Sequence, residues 1–145
     1  MMKQQIARLV CVLCISQAVT ATATEYEAIK YAIDTDALET AFTDLQTAAN
    51  NKTLSSVETD ILTSLLLIES GKPTRGIEVI QSAELRTTRL GADISEARAR
   101  AYLALGDYDM ATKAATEALQ AKSSNLGAQL VLLQIDNYMN NQLDH

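Results

Sequence analysis

The strongest constraint on this chain is a spacing of 35 residues. Asp36, Gly71 and Gly106 fall on it; five residues later come Ala41, Gly76 and Ala111, and seven beyond those come Ala48, Ala83 and Ala118. A fixed period between 20 and 50 residues marks stacked supersecondary units. A unit of 35 residues holds two helices of about four turns and two short connections. Two helices of one hairpin approach closely only where the contact residue is small. Ala41, Gly76 and Ala111 are therefore assigned to the crossing within each unit, and Ala48, Ala83 and Ala118 to the next contact layer.

Local signals agree with helical hairpins. The stretch Val57 to Ser70 is rich in Leu and Ile, Ser55 with Glu58 reads as a capping box at its start, and Gly71 ends it. Pro73 suits the first turn of the next helix, whose apolar side is assigned to Ile77, Ile80 and Leu85. In the third unit Asp93 with Glu96 is read as the cap of a helix through Leu105, Gly106 as the turn, and Asp107 as the cap of a helix to about Ala121. In the first unit Asp36 with Glu39 is read as a cap, with Phe42, Leu45 and Ala48 facing inward. No stretch carries the alternation of a half-buried strand. The expected fold class is all-α: about three hairpins, spanning roughly 24–56, 57–91 and 92–125, then one extra helix in 126–145.

Ala99, Tyr102, Gly106-Asp107-Tyr108, Ala111, Ala118 and Leu119 resemble the signature of the tetratricopeptide repeat family. The resemblance runs from about residue 24 to the end, with Ser123, Ser64, Leu67 and Asp36 departing from the pattern. It implies a right-handed solenoid whose first helices line a concave groove that holds a peptide or another protein. Carried over by the period, the groove residues are Tyr26 and Lys30 from the first unit, Ile61, Leu65 and Glu69 from the second, and Glu96, Arg100 and Leu103 from the third. One subgroup of that family grips a terminal carboxylate with a basic clamp. Here the only basic candidates, Lys30 and Arg100, are interspersed with Glu69 and Glu96, so that function is not expected.

The first 23 residues have a different character. Lys3 and Arg8 precede the apolar run Leu9 to Val19, and Ala21-Thr22-Ala23 offers a small-x-small site, the plan of a secretory signal cleaved after Ala23, or after Ala21 as second choice. The run is too short to span a bilayer as an anchor. Val10 and Leu13 stand before Cys11 and Cys14 where a lipid-attachment signal places a small residue. Removal of this segment leaves a periplasmic or secreted protein without cysteine.

The remaining 122 residues carry 10 Lys plus Arg against 18 Asp plus Glu, a net charge of −8. Such a surface repels nucleic acid and anionic membranes. The one histidine is His145, so neither a Cys/His zinc site nor a Ser/His/Asp or Cys/His catalytic set assembles within the chain. The acidic pairs Glu25/Glu27, Asp34/Asp36 and Asp107/Asp109 fall at helix boundaries, where carboxylates serve as caps. No catalysis, metal or other cofactor is expected.

The last helix, Leu126 to Met139, is apolar: Leu130, Leu133, Ile135 and Met139 cannot all be hidden without a neighbour, whereas a terminal repeat helix should carry a polar outer face. The reading is either a capping helix that completes three and a half repeats or the N-terminal part of a longer repeat protein. The second version explains the apolar helix better, and a homodimer through this helix would also explain it. The expected function is a non-enzymatic protein-interaction scaffold of the cell envelope, and the alternative is a structural or regulatory component of a secretion or exopolysaccharide-export system.

Overall fold

In the computed structural model residues 24–87 and 89–143 are described, and every regular element among them is an α-helix. Residues 1–23, read above as a secretory signal and carrying both cysteines, and His145 lie outside the described residues. The seven helices described are α1 (Glu25–Asp34), α2 (Leu38–Asn51), α3 (Ser56–Glu69), α4 (Pro73–Glu84), α5 (Gly91–Ala104), α6 (Tyr108–Ala121) and α7 (Leu126–Leu143).

The 35-residue spacing reappears in the backbone. Asp36, Gly71 and Gly106 all adopt the left-handed conformation, with φ of 62°, 77° and 76°. Each ends its helix with the same pair of hydrogen bonds. The next residue's N–H reaches back five residues (Ala37 to Ala32, Lys72 to Leu67, Asp107 to Tyr102, at 2.8–2.9 Å), and the turn residue's own N–H reaches back three. This is the Schellman arrangement, repeated three times in register. It requires a positive φ, which glycine adopts freely and Asp36 tolerates through its short polar side chain.

The small residues are buried as their spacing demands. Ala41, Ala48, Ala83, Ala111 and Ala118 have no exposed surface, and Gly76 is buried. A Cβ on Gly76 would stand 2.7 Å from Ile68 Cγ1 and 3.1 Å from the Ser64 carbonyl oxygen, so α3 and α4 meet too closely for any side chain there. Ser64 Oγ donates to the Gly76 carbonyl at 2.8 Å across the same crossing.

Helix starts follow the sequence in part. Ser55 and Glu58 form the complete capping box, Pro73 occupies the first turn of α4, and Asp107 Oδ1 accepts from the Met110 N–H at 3.1 Å. Two caps are corrected. α2 starts after Ala37 without a side-chain cap, because Asp36 is taken by the preceding turn; α5 starts after Leu90, which places Asp93 in its first turn and Glu96 further inside. Leu85, assigned to the core, lies beyond α4 and is exposed, and Phe42 is 54 % exposed where Ala41 and Leu45 face inward.

Consecutive helices pack on one another, and the odd-numbered helices also pack in series: α1 on α3, α3 on α5, α5 on α7. The even-numbered helices form an outer row and, among the described residues, do not touch each other. Arg98 of α5 bridges that row, with Nη1 3.1 Å from Glu84 of α4 and Nη2 2.7 Å from Glu117 of α6. Two apolar clusters make the core. One, rich in Ile and Leu, runs from Tyr26 to Ala97; the other, built mostly of alanine with Val131 and Ile135, joins α5, α6 and α7.

Candidate functional site: the inner face

The inner row curves, and one ion network shows it. α1 and α5 do not pack on each other because α3 lies between them. Neighbouring helix axes stand about 8–10 Å apart, so two axes separated by a third in a flat row lie about twice as far apart. Nevertheless Lys30 Nζ of α1 lies 2.9 Å from Glu96 Oε1 of α5, and Arg100 Nη2 of α5 lies 2.6 Å from Asp34 Oδ1 of α1. Side chains span this distance only if the row bends toward the side that carries them. That side is concave.

Glu96 is the hub. It is 1 % exposed, and its Oε1 also accepts from Arg100 Nη2 at 2.6 Å. Arg100 reaches Glu69 Oε1 of α3 at 3.4 Å, and Lys30 stands 3.5 Å from Asp34. A buried carboxylate is tolerable only with partners of opposite charge, and two cations supply them. Burial works against the Arg100 charge, but Glu96, Asp34 and Glu69 around it outweigh that and hold its pKa above the ordinary arginine value. Nearby, burial pushes the Asp93 carboxyl up, and the charge of Glu96 pushes it further; Lys30 and Lys122 pull the other way.

α7 reaches this network through Gly127. A methyl group there would overlap the Glu96 carboxylate and stand 2.8 Å from Arg100 Nη2, so glycine lets the first turn of α7 lie against the pair, and a side chain there would have to push these two charged ends aside. Asn125, itself buried, fixes that turn by accepting from the Ala128 N–H at 2.9 Å. The positive end of the α7 dipole thereby sits beside the Glu96 carboxylate, a favourable placement.

The network divides the concave face into two clefts. The first, about 590 Å³, is lined by Glu27, Lys30 and Tyr31 of α1, Asp93 and Glu96 of α5, and the residues that lead into α7. The second, about 380 Å³, draws on all four odd helices, including Ile33, Ile68, Leu103, Leu130 and Gln134. In α1 and α5 early turns line the first cleft and late turns the second, so these two helices run the same way. A third, mostly apolar groove of about 520 Å³ lies on the opposite side, between α2 and α3, where Phe42, Leu45, Leu66 and Leu67 meet.

Of the eight groove residues expected from the sequence, Lys30, Glu69, Glu96 and Arg100 come together in the network, and Leu103 lines the second cleft. Ile61 and Leu65 are corrected. Both are fully buried, because α3 is covered by α1, α2, α4 and α5 and has almost no free side. Tyr26 is likewise core, its hydroxyl without a hydrogen-bond partner among the described residues. Of the repeat positions, Tyr102 packs at the edge of the alanine cluster. Two participants were missed. Asp34 carried a signal, since Lys30/Asp34 and Glu96/Arg100 are both opposite charges four residues apart on a helix. Gly127 carried none beyond being a glycine in an apolar helix.

Among the described residues no group of three His, Cys, Asp or Glu side chains is placed to hold a metal ion, and no helix is long and apolar enough to cross a membrane. Comparison with protein-family models, with curated proteins and with solved structures yields no match.

Proposed function

We propose that this protein is a non-enzymatic interaction scaffold that holds a peptide or a surface of another protein on its concave face. The observation that carries the reading is the convergence of all four inner helices on one face with two clefts. The triple turn in 35-residue register and the series packing of the odd helices support a tetratricopeptide-like stack, right-handed as that family implies. Binding involves no bond chemistry: apolar side chains of the partner are buried against Ile68 and Leu103, and polar ones meet the network. In this reading residues 1–23 direct export and are removed, and the partner belongs to the periplasm or the exterior.

A photo-reactive residue in place of Gln134, exposed in the second cleft, tests this against one in place of Thr116 on the outer helix α6. The partner is expected to cross-link through position 134 and not through 116. Equal labelling at both, or labelling only at 116, contradicts a concave binding face.

The C-terminal helix supports a second contact, with another copy of the chain. Leu126, Leu130 and Leu133 form an exposed stripe opposite the buried Ala128, Val131 and Ile135. Asp136 is the one charge among residues 126–143 of a strongly acidic protein, so two copies meet there with little repulsion. Sedimentation is expected to show a dimer that L130K/L133K dissociates. A parent that remains monomeric at high concentration refutes this contact.

A further inference from the structure

The ion pairs of the inner face have a property that their individual distances do not reveal. Lys30, Asp34, Arg100 and Glu96 form a closed square of alternating charge, with sides of 3.5, 2.6, 2.6 and 2.9 Å. Two opposite sides lie within a helix, Lys30 to Asp34 on α1 and Glu96 to Arg100 on α5, each at a spacing of four residues. The other two run between helices that do not pack on each other. If α1 draws away from α5, every charge keeps its partner on its own helix. The buried Glu96 in particular keeps Arg100, and the penalty for stranding a buried carboxylate is avoided. The square therefore has two satisfied arrangements.

The surroundings indicate which part moves. Arg98 ties the outer helices of the second and third units to each other, whereas position 63, one period earlier, is threonine, and among the described residues no ion pair ties α2 to α4 in the same way. On the outer side of that same junction lies the open groove between α2 and α3, with Phe42 half out of its surroundings. Widening the inner face at this junction closes the outer groove, so lost ion pairs on one side are exchanged for apolar burial on the other.

We propose that the α1–α5 pairs form a strap, and that the α1–α2 hairpin rocks on the rest of the molecule between a strapped state and an unstrapped one. In the strapped state the concave face is divided into two clefts and Phe42 is exposed. In the unstrapped state the two clefts merge into one groove and Phe42 is covered. The proposal rests on the concave face being the binding face, and it assigns that face a gate: a partner segment that runs the length of the groove binds only the unstrapped form.

The test needs no partner, so its failure would leave the binding reading standing. Spin labels at T35C and L105C, with Cys11 and Cys14 changed to serine, report the separation of the C-terminal ends of α1 and α5. The chain has no tryptophan, so F42W in a parallel sample reports the outer groove. From low to 1 M salt, which weakens the partly exposed Arg100–Asp34 pair more than the buried Lys30–Glu96 pair, the distance is expected to gain a longer population. The tryptophan emission is expected to move to shorter wavelength. K30Q/D34N, which removes the α1 charges and leaves Glu96 with Arg100, is expected to show both changes already at low salt. Distances unchanged by salt overturn the strap, whether or not the variant folds. A longer distance with unshifted or red-shifted emission also overturns it, since that is α1 fraying from the surface.

Discussion

Asp36 shows how one residue both keeps and weakens a repeat. It holds the left-handed turn that Gly71 and Gly106 hold in the later units, and it does so with a side chain whose Cβ opposes that conformation. D36G is therefore expected to stabilise the protein by a few tenths to about 1 kcal/mol, read as a higher urea midpoint with unchanged slope, the added freedom of the unfolded chain offsetting part of the gain. Tyr26 is the opposite case, a polar group where the fold has no use for polarity. Burial raises its pKa above the ordinary value of 10.0, and the charges of Asp93 and Glu96 raise it further, so the folded phenol stays neutral when the unfolded one ionises. Its contribution is then fully present below pH 10 and is lost as the pH rises, by up to about 1.4 kcal/mol per pH unit. Y26F has no hydroxyl to desolvate or ionise. It is expected to be at least as stable as the parent at pH 7 and to show a shallower loss of stability between pH 10 and 11; an unchanged slope would mean that another group governs alkaline unfolding.

Elements were legible where their letters have one physical meaning and illegible where they have two. The seven helices follow from 3.6-residue periodicity and from buried small residues, because Ala111 and Gly76 have no other reason to recur at that register. Asp93-x-x-Glu96 has the letters of a cap, but the same spacing occurs inside a helix, and Glu96 is instead the buried centre of the ion network. Ile61 and Leu65 were misplaced because the 35-residue period carries a groove position from unit to unit without regard to what packs around it, whereas α3 is enclosed by four neighbours. Gly127 depends on tertiary approach alone, and its substitution tests that approach. G127A forces a methyl into the Glu96 carboxylate and is expected to cost about 1–3 kcal/mol by overpacking. Gly91, also helical but with open space within 4 Å of where a methyl group would stand, is the control: G91A is expected to be neutral or stabilising by about 0.5 kcal/mol. If both variants melt alike, α7 does not lie against the network.

For the whole molecule, packing in series makes stability a local quantity, since no single core spans all seven helices. The two apolar clusters differ in size and in chemistry. The N-terminal one buries Ile29, Ile33, Ile61, Leu62, Leu65 and Ile80, while the C-terminal one buries mainly alanines, with Val131 and Ile135 as its large members. At about 25 cal/mol per Å² of apolar surface, each buried isoleucine or leucine contributes well over what an alanine does. The alanine column permits close crossing between α5 and α6 but provides less hydrophobic stabilisation, and α7 has a free outer face. Native-state hydrogen exchange should therefore find α6 and α7 opening at lower free energy than α3 and α4, as a separate unit. L65A, which removes side-chain volume from the fully buried centre of α3, should lower protection in α3 and α4 by about 2–5 kcal/mol. Its effect on α6 and α7 should be much smaller, because their opening already occurs without the N-terminal cluster. Equal loss across all helices would mean that the strap, Arg98 and the shared helix α5 couple the halves into one cooperative unit, and the division of the core into two would then have no thermodynamic consequence.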